Sequence, residues 1–207
     1  DFVRVVLHET LNAKLLMVGA DFRFGAQRKG DFALLQSLQN QYGYALKNLH
    51  SVEQNGARVS SSLIRQHLER GEINEATQLL GHPLTLSGHI IHGEKLGRPI
   101  GVPTINIKRP ECLVLQGIYA AGVQLQSAPE QTIQGAASIG IRPSVKTNGQ
   151  CWCEVHLFDF NQEIYGQIAC VTLHQKIRDE AKFDDFDELL KAIQNDMAQC
   201  RAFFAQK

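Results

Sequence analysis

The residues of this chain that could do chemistry gather in two short stretches, 88–106 and 152–160. The first reads Gly88-His-Ile-Ile-His-Gly93-Glu-Lys95-Leu-Gly97-Arg98-Pro-Ile-Gly101-Val-Pro103-Thr104-Ile-Asn106. Its repeated glycines remove side chains where a backbone could approach a polyphosphate with its N–H groups as donors. Lys95 and Arg98 can neutralise phosphate charge. Thr104 and Asn106 stand two apart, on one face of an extended segment, and offer neutral oxygens suited to a Mg²⁺ already held by phosphates. The run contains no Gly-Lys-Ser/Thr and is neither a Walker A loop nor a dinucleotide fingerprint. By composition it is equally a turn-rich β connection. The second stretch, Trp152 to Phe160, alternates like a strand, which puts Glu154 on a face with Trp152, His156 and Phe158. A carboxylate among aromatics can serve as general base toward a substrate hydroxyl, or can simply be an exposed strand residue. Cys151, Cys153 and His156 suggest a metal. However, Cys153 and His156 fall on opposite strand faces, and no second ligand pair occurs at zinc-like spacing.

Two textures must position these residues. From Asp1 to about Gly81 the pattern is α/β. Val3, Val6, Leu7 and Leu11 have helical spacing, and Leu15 to Val18 form a short apolar strand. Asp31 is placed to cap a helix bearing Phe32, Leu35 and Leu38. A helix beginning at Ser60-Ser61-Ser62 runs through Leu68 toward Gly71, and another runs from Ile73 to Leu80. Beyond Pro83 come short β segments: Thr85–Ile91, Gly117–Leu125, Ile133–Ile139, Cys151–Phe160 and Ile168–His174. Their spacing indicates a sandwich or barrel. Asp184 or Asp185 caps a final helix whose apolar stripe comprises Phe186, Leu189, Leu190, Ile193, Met197, Cys200 and Phe204, and this stripe is expected to pack on the barrel. The boundary falls near residue 82. With 21 basic and 21 acidic side chains, no global field draws the chain to nucleic acid or membrane. No apolar run approaches the roughly 18 residues of a spanning helix. Five cysteines, an odd and scattered set, indicate reduced thiols in a cytoplasmic protein.

The order of motifs carries a resemblance. Gly97 to Asn106 is similar to the G-R-x-[LI]-G-x-P-T-x-N signature of riboflavin kinases. Gly117-Ile-Tyr119, Ser138-Ile-Gly140-Ile-Arg142-Pro143, Glu154-Val-His156, Asp159, Tyr165-Gly166 and Ile177-Arg178-x-Glu180-x-Lys182-Phe183 follow in the family's order and spacing. Across 83–207 the chain resembles that family, which implies a Greek-key β-barrel closed by a C-terminal helix. The resemblance implies an ATP and phosphate site at Gly88, Gly93, Lys95, Gly97, Arg98, Thr104, Asp159 and Tyr165, with Mg²⁺ at Thr104 and Asn106. It further implies Glu154 as the base that activates the ribityl terminal hydroxyl, and Arg178, in a loop before the last helix, as a flavin-side contact. Ser144, Ile164 and Cys153 replace the family's usual Thr, Leu and Leu.

The first 82 residues resemble part of the FMN adenylyltransferase domain that precedes this kinase in prokaryotic bifunctional enzymes, a Rossmann-like nucleotidyltransferase fold. Val18-Gly19-Ala-Asp21-Phe22-Arg23-Phe24-Gly25 matches its flavin side, which implies Asp21 and Phe24. Val59-Ser60-Ser61-Ser62-Leu63-Ile64-Arg65 matches its I-S-S-T-x-I-R motif, which implies phosphate contacts from Ser60, Ser61 and Arg65 at a helix start. The serine run is also an ordinary helix cap. The H-x-G-H element of that class is absent from these 207 residues. By analogy with the family's architecture, about a hundred residues are expected ahead of Asp1. The resulting expectation is an enzyme that converts riboflavin and ATP to FMN, whose longer form converts FMN to FAD. Its rivals are a nucleotidyltransferase with an inactive barrel and a non-catalytic flavin-binding module.

Overall fold

In the computed structural model, residues 1–19, 21–54, 56–93, 102–109, 114–141, 151–183 and 185–206 are described. They divide into two units, Asp1–Val59 and Ser60–Lys207.

The first unit is α/β. Its opening helix, Phe2–Thr10, has π pitch: the Leu11 N–H reaches back five residues to the Val6 carbonyl. Strand β1, Leu15–Gly19, lies parallel to β2, Ala45–Leu49, with Leu15 opposite Ala45. The helix between them, α1 (Phe32–Tyr42), completes a β-α-β unit. Asp31 caps it as expected, its carboxylate accepting from the Leu34 N–H at 2.9 Å, and Gly43 ends it in the left-handed region. Val3, Leu35 and Tyr44 are buried at its centre. By contrast, Leu15 and Met17 on β1 are 47% and 53% exposed. Two short strands, β3 (Glu53–Gln54) and β4 (Ala57–Arg58), pair antiparallel at the end of the unit.

In the second unit, α2 (Ser61–Glu69) is capped by Ser60, which accepts from the Leu63 N–H, and α3 (Ile73–Leu80) stops at Gly81 with φ +73°. Leu68, Ile73 and Ala76 from these helices join the same apolar cluster as the barrel interior. The change of texture at Gly81 and the change of contacts at Val59 therefore bracket α2 and α3.

Six strands follow: β5 Thr85–Ile91, β6 Thr104–Arg109, β7 Gly117–Leu125, β8 Ala128–Ile141, β9 Cys151–Leu157 and β10 Ile168–Arg178. They close in the order β10-β5-β6-β9-β8-β7 with antiparallel neighbours. The β7-β8-β9 meander is flanked by β6 beside β9 and by β10 beside β7, giving two overlapping Greek keys. Alternation fills the inside with Leu86, Ile107, Tyr119, Ile139, Val155 and Val171.

The last helix, α4 (Phe186–Ala205), is capped by Asp185 and lies on the outside of the barrel. Ala120 and Ala136 face it from β7 and β8, and their small side chains let Met197, Cys200, Phe203 and Phe204 pack closely with Phe158. Of the expected stripe, Met197, Cys200 and Phe204 pack in this cluster, Leu189, Leu190 and Ile193 are half-buried, and Phe186 is 58% exposed. Two strands run longer than alternation suggests. One of them, β10, absorbs register shifts at Leu173/Gln175 and Lys176/Arg178. Arg178 accordingly ends a strand, and the expectation that it lies in a loop is corrected.

Candidate active site

Cross-strand register assembles the site on the outer wall of the barrel, because residues directly opposite one another in a ladder share a face. Asn106 of β6 is opposite Glu154 of β9, which is opposite Ser138 of β8. One row further along, Thr104 is opposite His156, which is opposite Ala136. The inward neighbours Ile105, Ile107, Cys153 and Val155 belong to the core, so the same strands hold the interior together and present the polar row outside. Cys153 and His156 do fall on opposite sides, as the alternation requires.

Asn106 is 3% exposed, and its Oδ1 is buried with no hydrogen-bond partner among the described residues. Gly93 lies against it so closely that an added Cβ would overlap the Asn106 amide. A buried oxygen left unsatisfied costs free energy, so a group that accepts its lone pair would be stabilising at this position. Glu154 is half-buried, with its Oε1 closed off from solvent. His156 places Nδ1 2.9 Å from the Pro103 carbonyl and approaches Phe158 edge-on, which orients its ring beside Thr104. Thr104 also lines a cavity of about 250 Å³ with Pro103, Phe160, Asn161 and Tyr165. The Tyr165 ring stands 3.8 Å from that of His92. The Gly166 N–H donates to the Ile90 carbonyl, tying this turn to β5.

Other expected residues lie elsewhere. Gly88 sits opposite Ala169 on the inward side of β5, with Leu86 and Ile90, away from the outer row. Lys95, Gly97 and Arg98 lie outside the described residues. Asp159, at φ +54°, has its carboxylate engaged by both Nη atoms of Arg201 at 2.8 and 3.0 Å, which holds it below the usual carboxylate range. That guanidinium also covers the Phe158 ring at 4.3 Å. In the first unit, Asp21 accepts from Arg58 at 2.9 Å, and Phe24 packs between Phe2 and Phe22. In the second unit, the Ser60 hydroxyl oxygen is occupied as a helix cap, while Ser61 and Arg65 are exposed one turn apart on α2.

Sequence reasoning passed over Asp196. It is buried on α4 and accepts from Arg178 Nε at 2.8 Å and Nη2 at 2.7 Å. An acidic residue on the flank of an apolar helical stripe was the available signal. It also left Gly140 unexplained. The Glu180 carboxylate occupies the space a side chain at Gly140 would need, and desolvation there pushes its pKa up. The Gly117-Ile-Tyr119 motif is architectural: Gly117 has φ +122° against the Arg178 backbone, and Tyr119 is fully buried in the barrel.

A six-stranded closed barrel with a C-terminal helix on its outside fits the riboflavin kinase fold. The family model for riboflavin kinase matches residues 80–204, and the chain belongs to that family. The FAD synthetase model matches residues 1–63. A bifunctional riboflavin kinase/FMN adenylyltransferase of Haemophilus influenzae is 40% identical over 204 residues, which are 98% of this chain and 65% of that protein. The Escherichia coli K12 protein of the same description is 40% identical over 205 residues, 99% of this chain and 64% of its own length. The chain thus spans just under two thirds of the length of these relatives. A solved Streptococcus pneumoniae protein, described as a macrolide-efflux protein, shares 33% identity and a TM-score of 0.68 over 95% of this chain and 62% of its own. Among the described residues no helix is long and apolar enough to cross a membrane.

Proposed function

We propose that the chain is an ATP:riboflavin 5′-phosphotransferase that forms FMN in the cytoplasm, and that the longer protein of which it is part also adenylylates FMN to FAD. The observation that carries the kinase reading is the Asn106–Glu154 pair. A carboxylate and an unsatisfied buried amide oxygen stand side by side under a glycine backbone. Glu154 takes the proton from the ribityl terminal hydroxyl as the hydroxyl oxygen bonds to the γ-phosphorus of ATP and the bond from that phosphorus to the β,γ-bridging oxygen breaks, releasing ADP. Thr104 and Asn106 offer neutral oxygens on one face, a donor set that fits Mg²⁺ already carried by phosphates. Bound there, Mg²⁺ supplies charge neutralisation at the transferring phosphoryl group. Tyr165 and the cavity beside Thr104 receive the nucleotide, with Gly93, Lys95, Gly97 and Arg98 around the phosphates and Asp159 bordering them. Arg178 faces the flavin. Residues 83–207 carry this activity. Residues 1–82 belong to the adenylyltransferase domain, in which Asp21 and Phe24 contact flavin and Ser60, Ser61 and Arg65 contact phosphate.

Incubating the purified chain with riboflavin, ATP and Mg²⁺ and separating products by chromatography is expected to give FMN, and no FAD from FMN and ATP. Riboflavin binding without FMN would instead identify a flavin-binding module. Absence of both would refute the proposal.

A further inference from the structure

We infer that Asp196 is a positioning residue for riboflavin: it fixes the Arg178 guanidinium so that its remaining donors face the flavin. The inference rests on the flavin-side role proposed for Arg178. Asp196 is the one buried ionisable carboxylate among the described residues, with 6% of its side chain exposed against 27% for Arg178. Burying a carboxylate costs free energy that an apolar residue on the same helix face would not. Its place opposite an arginine, on an otherwise apolar helix face, points to work beyond packing.

The geometry specifies that work. Asp196 takes the side-on fork of the guanidinium, Nε and Nη2, while Nη1 donates to the Asp179 carbonyl at 2.9 Å. The Phe183 ring lies 5.6 Å from the guanidinium carbon. These contacts fix the plane and rotation of the group. Of the five guanidinium N–H bonds, one on each Nη then remains without a protein partner among the described residues. Two donors from one fixed fork match adjacent carbonyl-type acceptors. Because the Arg178–Asp196 pair carries no net charge, it suits the uncharged carbonyls of an isoalloxazine ring better than an anion.

The test uses the full 207-residue chain. Riboflavin Kd is read from quenching of flavin fluorescence, and KM for riboflavin and for ATP from FMN formation. Asp196→Asn keeps the shape of the side chain and lets the fork turn. It is expected to raise riboflavin Kd and KM on the order of tenfold, as expected for hydrogen bonds to a charged group, with ATP KM unchanged. Arg178→Ala should weaken riboflavin binding equally, and adding Asp196→Asn to it should change nothing further. Asp196→Glu keeps the charge but displaces the fork, and should fall between the parent and Asp196→Asn. If Asp196→Asn does not fold, an unchanged riboflavin KM in Asp196→Glu overturns the inference. An unchanged riboflavin Kd in Asp196→Asn, with Arg178→Ala weakened, overturns it as well and leaves the reading of Arg178 standing. Normal riboflavin binding by Arg178→Ala removes that reading, and the inference falls with it.

Discussion

The chemistry proposed for this chain depends on a few atoms, and Glu154 is the most demanding of them. Replacing it with Gln preserves volume and hydrogen-bonding reach but removes the basic oxygen, so FMN formation is expected to fall roughly 10²–10⁴-fold while riboflavin Kd stays unchanged. A loss below threefold would reassign Glu154 to the fabric of the strand. Asn106 makes a separable prediction. Asn106→Ala removes a buried unsatisfied oxygen, so the fold should tolerate it. The variant should need more Mg²⁺ for half-maximal FMN formation, with riboflavin Kd unaltered. Normal turnover at low Mg²⁺ would remove Asn106 from the metal site.

Part of this site was legible in the sequence. Period-two alternation put Glu154 and His156 on one face and Cys153 on the other, and the strand does so. The row itself was not legible, because Asn106 and Glu154 become neighbours only through the β6–β9 register, a pairing between segments nearly fifty residues apart. Nor could local pattern show that Gly93 lies on the Asn106 amide or that Gly140 makes room for Glu180. A glycine announces freedom of approach without saying what approaches.

At the level of elements, the helices were the most readable. Asp31, Ser60 and Asp185 each cap the helix they precede, because a short acceptor side chain at such a position meets an orphan backbone N–H whatever the tertiary context. Asp185→Ala is expected to lower stability by about 1 kcal/mol in urea unfolding, with riboflavin KM within twofold of the parent. A loss above about 3 kcal/mol would show that Asp185 does more than cap. Strands were read less completely. Thr104–Arg109 has Ile105 and Ile107 at the right period, but the preceding glycines and prolines made the whole stretch look like a loop. β2, Ala45–Leu49, lacks both alternation and β-branched residues, and takes its strand form from its parallel pairing with β1. Arg178 ends a strand because β10 carries register shifts near its end, which polar residues after His174 do not announce.

Across the whole molecule, the two units differ in how well they bury their apolar surface. Leu11, Leu15, Met17, Leu49 and Val52 are all well exposed, and all lie in Asp1–Val59. The barrel, in contrast, has no open strand edge among its six strands. The first unit is therefore expected to lose protection first when the chain is followed by amide hydrogen exchange in rising urea, with the barrel strands exchanging last. Simultaneous loss of protection throughout would show that the units fold as one.

The closed wall also separates two sets of residues that share each strand. Ile107 is fully buried inside, while its neighbour Asn106 belongs to the outer row. Ile107→Val should cost roughly 0.5–1.5 kcal/mol of stability and leave the KM values for riboflavin and ATP unchanged. At these positions heat resistance and the proposed chemistry are therefore written in alternate letters of the same strands. A lineage moving to a hotter habitat could rewrite one set without disturbing the other, and a protein engineer could randomise them in separate libraries.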